Sequence, residues 1–241
     1  YGIEVSRLSK DWADLEDPAE IEQVLQFVDV SPGSNLWVSF PCTVWSIWQH
    51  MSINKHGEKY KRRLDRRRIK ARAMLAHALR VADRIIERGG DVSFEWPKSC
   101  AGWLLPELVS FQLKHSTCEA VFDGCDFGLV SEENEPIKKG WRVITTSSTL
   151  ANNLNQHKCR HDKDFKHCHA EGSKTANTAF YPKAICETII TSLFPEKVHG
   201  HVPCIICKPK SSFDSGHNPK SDSATDVFNQ PAGFVFEAEG L

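Results

Sequence analysis

Leu36-Trp37-Val38-Ser39-Phe40-Pro41-Cys42-Thr43-Val44-Trp45-Ser46 is the stretch on which the reading of this chain turns. Its first half is a short apolar run that reads as a buried strand, and Pro41 closes it. A cysteine then stands at the carboxyl end of the strand, where ligands and reacting groups collect in an open α/β sheet. A thiol in that place acts as a nucleophile when its surroundings favour the thiolate. The same residue also fits an inert, buried cysteine in a strand-end turn. Two further stretches look like companions: Phe94-Glu95-Trp96-Pro97 and Asp126-Phe127-Gly128.

Upstream, Tyr1-Gly2-Ile3-Glu4-Val5 reads as a short strand with Glu4 near its end, and it begins without a lead-in. Asp17-Pro18-Ala19-Glu20 has the form of a helix start, with Asp17 as cap and Pro18 in the first turn. Ile21, Val24, Leu25 and Val28 then repeat on one face. Downstream, apolar Leu75, Leu79, Ala82 and Ile86 predict a helix that stops at Gly89-Gly90. Strands are expected over 91–96, 119–122 and 141–145, with a short helix over 106–113. This alternation predicts an α/β domain over 1–150 with a mostly parallel, Rossmann-like sheet. A Cys/His-rich segment and a helix from Pro182 occupy 151–207. Residues 208–241, rich in Ser, Pro, Asp, Gly and Asn, read as a disordered tail.

The 241 residues suffice for one sizeable core plus a small appendage. No apolar run is long enough to span a membrane, and no signal peptide is visible. Nine cysteines, an odd number, fit reduced thiols and a bound metal in an intracellular protein better than a disulfide framework. His157, Cys159, His161, His167, Cys168 and His169 form a cluster from which zinc could take a tetrahedral set. Cys159, His161, His167 and His169 are the expected ligands. Cys204-Ile205-Ile206-Cys207, preceded by His199 and His201, could complete such a site, and a polar surface loop is the alternative.

The net charge of −1 hides strong segregation. Lys59, Lys61, Arg62, Arg63, Arg66, Arg67, Arg68, Lys70 and Arg72 face only Glu58 and Asp65. Such a run tracks a phosphate backbone, with Trp45, Trp48 and Tyr60 as stacking candidates, or forms an ordinary solvated helix face.

Pro41-Cys42 followed by Trp45-Ser46 resembles the nucleophile loop of cytosine-5 DNA methyltransferases. Phe94-Glu95-Trp96-Pro97 is similar to that family's glutamate motif. Asp126-Phe127-Gly128, then basic residues, then Arg142-Val143-Ile144, resembles a later pair of its motifs. The resemblance covers roughly residues 1–148 and implies an S-adenosylmethionine-dependent enzyme acting on a flipped cytosine. In that scheme Cys42 adds to the ring, Glu95 is the general acid, and Arg142 holds the base or steadies the thiolate. Glu4 and Pro41 would lie at the cofactor. Lys61, Arg62, Arg63, Arg66 and Arg67 would contact DNA, or RNA. Phe94-Glu95-Trp96-Pro97, Phe122-Asp123-Gly124-Cys125 and Thr178-Ala179-Phe180-Tyr181-Pro182 are similar to methyltransferase-like domains of retroelement polyproteins. The family's glycine-rich first motif is not seen ahead of Glu4, and Phe40, Trp96 and Pro97 depart from its pattern. A fragment or a degenerate relative is therefore expected. The alternative function is a catalytically inactive, zinc-stabilised nucleic-acid-binding module.

Overall fold

The computed structural model describes residues 3, 5–8, 17–168, 178, 180–195 and 233–237. The elements run β1 (Val5–Leu8), α1 (Pro18–Asp29), β2 (Asn35–Ser39), α2 (Gln49–Glu87), β3 (Val92–Pro97), α3 (Pro106–His115), β4 (Cys118–Asp123), β5 (Gly140–Thr145), α4 (Ser148–Asn155), α5 (Lys183–Leu193) and β6 (Gly233–Glu237). Their sheet has the order β1-β6-β2-β3-β5-β4.

This sheet corrects the expectation of a mostly parallel, Rossmann-like methyltransferase fold. It is mixed. β1, β6, β2 and β3 run parallel to one another, but β5 is antiparallel to both β3 and β4. The cause lies between β4 and β5. A parallel return needs a long crossover, usually a helix. Residues 124–139 contain instead a 3-10 turn at Gly124–Phe127 and a fold-back bridged at Val130 and Pro136. The chain re-enters alongside β4 with its direction reversed. β1 begins at Val5, later than the expected strand, and Glu4 lies outside the described residues. Within the segment read as a tail, the described residues 233–237 form β6, a strand between β1 and β2.

Strand parity divides the core into two layers. Leu36, Val38, Phe94, Trp96 and Ile144 face α1, α2 and α3. Trp37, Ala120, Phe122, Trp141 and Val143 face α4 and α5. The Leu36-Trp37-Val38 run is therefore buried on both sides, as an unbroken apolar strand should be. α1 starts as the sequence dictates: the Asp17 carboxylate accepts from the Ala19 amide at 2.8 Å, and Ile21, Val24, Leu25 and Val28 are buried.

α2 carries the basic segment and joins it to the core. Its 39 residues are interrupted at Gly57, where φ is +66° and ψ −160°. The first segment folds back: Tyr60 donates to Gln49 Oε1 at 2.7 Å, although a straight helix would separate the two by about 16 Å. After the break, Met74, Leu75, Ala78, Val81, Ala82 and Ile85 bury one stripe. Arg84 and Arg88 both grip Asp29 of α1, and Arg80 reaches Glu22. At the start of β3, a Cβ on Gly90 would stand 1.7 Å from the Ser34 carbonyl oxygen, so only glycine allows β2 and β3 to begin side by side.

Candidate functional site

Four donor atoms converge beside the end of β4. Cys125 comes from the 3-10 turn that follows β4, and Cys159, His161 and His167 from the loop after α4. All four lie within 4.8 Å of one another. Cys159 Sγ is 3.5 Å from His161 Nδ1 and 3.3 Å from His167 Nε2, and the two imidazole nitrogens are 3.2 Å apart. A tetrahedral zinc ion with arms of ~2.3 Å to sulfur and ~2.05 Å to nitrogen has edges of about 3.3–3.8 Å. Those spacings match its edges. Two thiols and two imidazoles also have the right softness for zinc.

The loop is locked in place by its own hydrogen bonds. The Asp123 amide donates to the His157 carbonyl at 3.0 Å, and the Cys159 amide to Asp123 Oδ2 at 2.9 Å. His157 pairs with Asp126 at 2.9 Å while stacking on Phe127, with ring centroids 3.8 Å apart. The Cys168 amide reaches the Pro136 carbonyl at 2.9 Å. Burial and the neighbouring Cys159 push the Cys125 thiol up to about 12. Burial and the neighbouring His161 hold His167 below the usual imidazole value, the direction that favours metal binding.

Three of the expected ligands, Cys159, His161 and His167, are thus brought together. The fourth, His169, lies outside the described residues, as do His199, His201, Cys204 and Cys207. Cys125 stands in the fourth position. Nothing in its spacing pointed to it, because it comes from a separate turn.

A second polar cluster occupies the carboxyl ends of β2 and β3. These strands are parallel neighbours, so Pro41-Cys42 and Glu95 emerge at the same edge of the sheet. Glu95, only 5% exposed, accepts from Ser39 at 2.6 Å and from Tyr181, both on Oε2. The Tyr181 hydroxyl also meets Ser39 at 3.1 Å and accepts from Trp37 Nε1 at 3.3 Å. Desolvation raises the Glu95 carboxyl above its ordinary value, against those hydrogen bonds and the Lys139 charge. Burial likewise pushes the half-buried Cys42 thiol up; Lys139 opposes this and Glu95 adds to it. Lys139 is lowered by burial and raised by Glu95 and Cys42. Its ammonium donates to the Thr178 carbonyl at 2.8 Å and lies 4.8 Å from the centre of the Trp141 ring.

Arg142 does not join this cluster. In the antiparallel register Glu95 is opposite Val143, so Arg142 projects from the other face of the sheet. There it pairs with Glu119 at 2.5 Å and lies over Trp103 at 4.8 Å. Lys139, Ser39 and Tyr181, none of them expected, supply the charge and hydrogen bonds around Glu95. Glu4, the expected ribose contact, lies outside the described residues, and Pro41 sits at the strand end beside Cys42.

Arg72, at the end of the basic segment, and Arg80, Arg84 and Arg88 beyond it are ion-paired with Glu107, Glu22 and Asp29. Lys59, Lys61, Arg62, Arg63 and Arg66 are exposed and form no ion pair among the described residues. Lys59, Arg62 and Arg66 line an open concavity with Asp65. Arg67 is half-buried and has partners. Among the described residues no helix is long and apolar enough to cross a membrane. No family model, curated protein or solved structure matches the chain.

Proposed function

We propose that this chain is a metal-stabilised nucleic-acid-binding module. The observation that carries the reading is the four-donor cluster of Cys125, Cys159, His161 and His167, all within 4.8 Å of one another, with the three distances among Cys159, His161 and His167 close to the edges of a zinc tetrahedron. A zinc ion there would tie the loop after α4 to the end of β4, stabilising the folded chain through its binding free energy. The partner class follows from α2. A helix whose later arginines are all matched to acids, while Lys61, Arg62, Arg63 and Arg66 have no acidic partner among the described residues, presents charge to an external polyanion. Native mass spectrometry of the full chain tests the reading. One zinc per chain is expected, together with a complex on a labelled oligonucleotide that dissociates as salt rises. A metal-free mass after purification in zinc would contradict it.

A second reading is favoured by one observation, the parallel placement of Cys42 and Glu95 at adjacent strand ends. In it the chain is an S-adenosylmethionine-dependent methyltransferase-like enzyme, with Cys42 as nucleophile and Glu95 as acid. The raised Cys42 thiol and the tyrosine already bonded to Glu95 rank it second. Methyl transfer from labelled cofactor to DNA, lost in Cys42→Ala, would establish it. Equal signal from both proteins would remove Cys42 from any mechanism.

A further inference from the structure

The start of α2 carries an unusual concentration of uncovered apolar surface. Ile47, Trp48 and Met51 are 52%, 56% and 62% exposed, within five positions of one another. Trp48 stands on a fixed backbone. Its amide donates to Ser46 Oγ at 3.3 Å, and its carbonyl accepts from Ser52 at 3.1 Å. The other aromatic rings of this region are engaged within the protein. Arg68 covers Trp45 at 5.4 Å while donating to the Val44 carbonyl at 3.1 Å, and Tyr60 lies under Arg63 at 5.2 Å.

The break at Gly57 brings this patch to the basic surface. Gln49, next to Trp48, accepts from Tyr60, and Arg63 sits on that same tyrosine. The turn that precedes Trp48 is held against Arg68. Trp48 is therefore joined through its neighbour Gln49 to Tyr60 and Arg63, and an exposed indole in the same region as cations that form no ion pair among the described residues is the combination that grips an unpaired strand: phosphates along the charge, a base on the ring. A regular duplex keeps its base faces stacked inside and offers an exposed indole nothing to stack upon.

We infer that the partner is a single-stranded nucleic acid, one of whose bases stacks on Trp48 while its backbone runs along Lys59, Arg62, Arg63 and Arg66. This rests on the nucleic-acid-binding reading above and narrows it. Three fluorescein-labelled probes of equal length test it by anisotropy with the full chain: a 12-nucleotide oligothymidylate, an abasic strand of the same charge, and a duplex. Wild type should bind oligothymidylate roughly tenfold or more tighter than the abasic strand, as expected for one base stack. Trp48→Ala should bring that ratio close to one, and Trp48→Phe should restore most of it. A ratio unchanged in Trp48→Ala, or a wild-type preference for the duplex, would overturn the inference while salt-sensitive binding of all probes keeps the broader reading. No binding of any probe at low salt would overturn both.

Discussion

Cys159 is the sharpest point at which to perturb the metal centre, because its sulfur lies within 3.5 Å of both imidazole donors. Serine in its place keeps the loop's backbone hydrogen bond to Asp123 but removes a soft anionic ligand. The stabilisation at stake follows from linkage: metal at a thousandfold excess over its dissociation constant adds about 4.1 kcal/mol to the folded state. For a chain of this size each kcal/mol moves Tm by roughly 2–4 °C. Chelation of wild type should therefore lower Tm by roughly 8–16 °C. Cys159→Ser should melt close to chelated wild type and respond little to chelator. Cys118→Ser, on β4 and outside the cluster, should keep the full response. Scanning fluorimetry with zinc and with chelator reads all three. Wild type melting at one temperature in both conditions, or Cys159→Ser retaining the shift, would refute the metal assignment.

Glu95 predicts a pH dependence of defined sign. Burial raises its carboxyl in the folded chain, so folding retains a proton that the unfolded chain releases. That contribution is complete below an unfolded value of about 4.3 and is lost as pH rises through the folded value. Glu95→Gln has no such proton, so its stability relative to wild type should grow as pH rises through that window; urea midpoints at several pH values would show it, and a pH-independent difference would contradict it. Gly90→Ala places a methyl group against the Ser34 carbonyl and should cost at least about 1–3 kcal/mol in the same urea assay. A neutral effect would mean that the start of β2 yields more easily than its contact with Gly90 indicates.

The local features were legible in the sequence. Asp17 and Pro18 start α1, its four apolar positions are its buried face, and Leu36 to Val38 form a strand covered on both sides. Each of these depends on residues within one or two turns. The sheet's polarity was not legible, because it depends on how 124–139 returns, and alternation of strand and helix says nothing of a loop that folds on itself. The same long-range register misplaced Arg142: its partner in β3 is Trp96, so parity sends it away from Glu95. Lys139, just before β5, reaches Cys42 and Glu95 electrostatically instead. Cys159, His161 and His167 were visible as a crowded stretch, whereas Cys125 joins them only through the β4 turn. Tyr181 reaches Glu95 across the sheet from the approach to α5, a contact no local pattern encodes.

Whether a polyanion sits on the face of α2 whose cations form no ion pair among the described residues is read from the salt dependence of oligonucleotide affinity. With Lys59, Arg62, Arg63 and Arg66 engaged, the logarithm of the binding constant should fall against that of salt with a slope of about −2.8 for a single strand. The double variant Arg62→Ala/Arg66→Ala should bring that slope to about −1.4. A slope near zero in wild type, or an unaltered slope in the double variant, would contradict it.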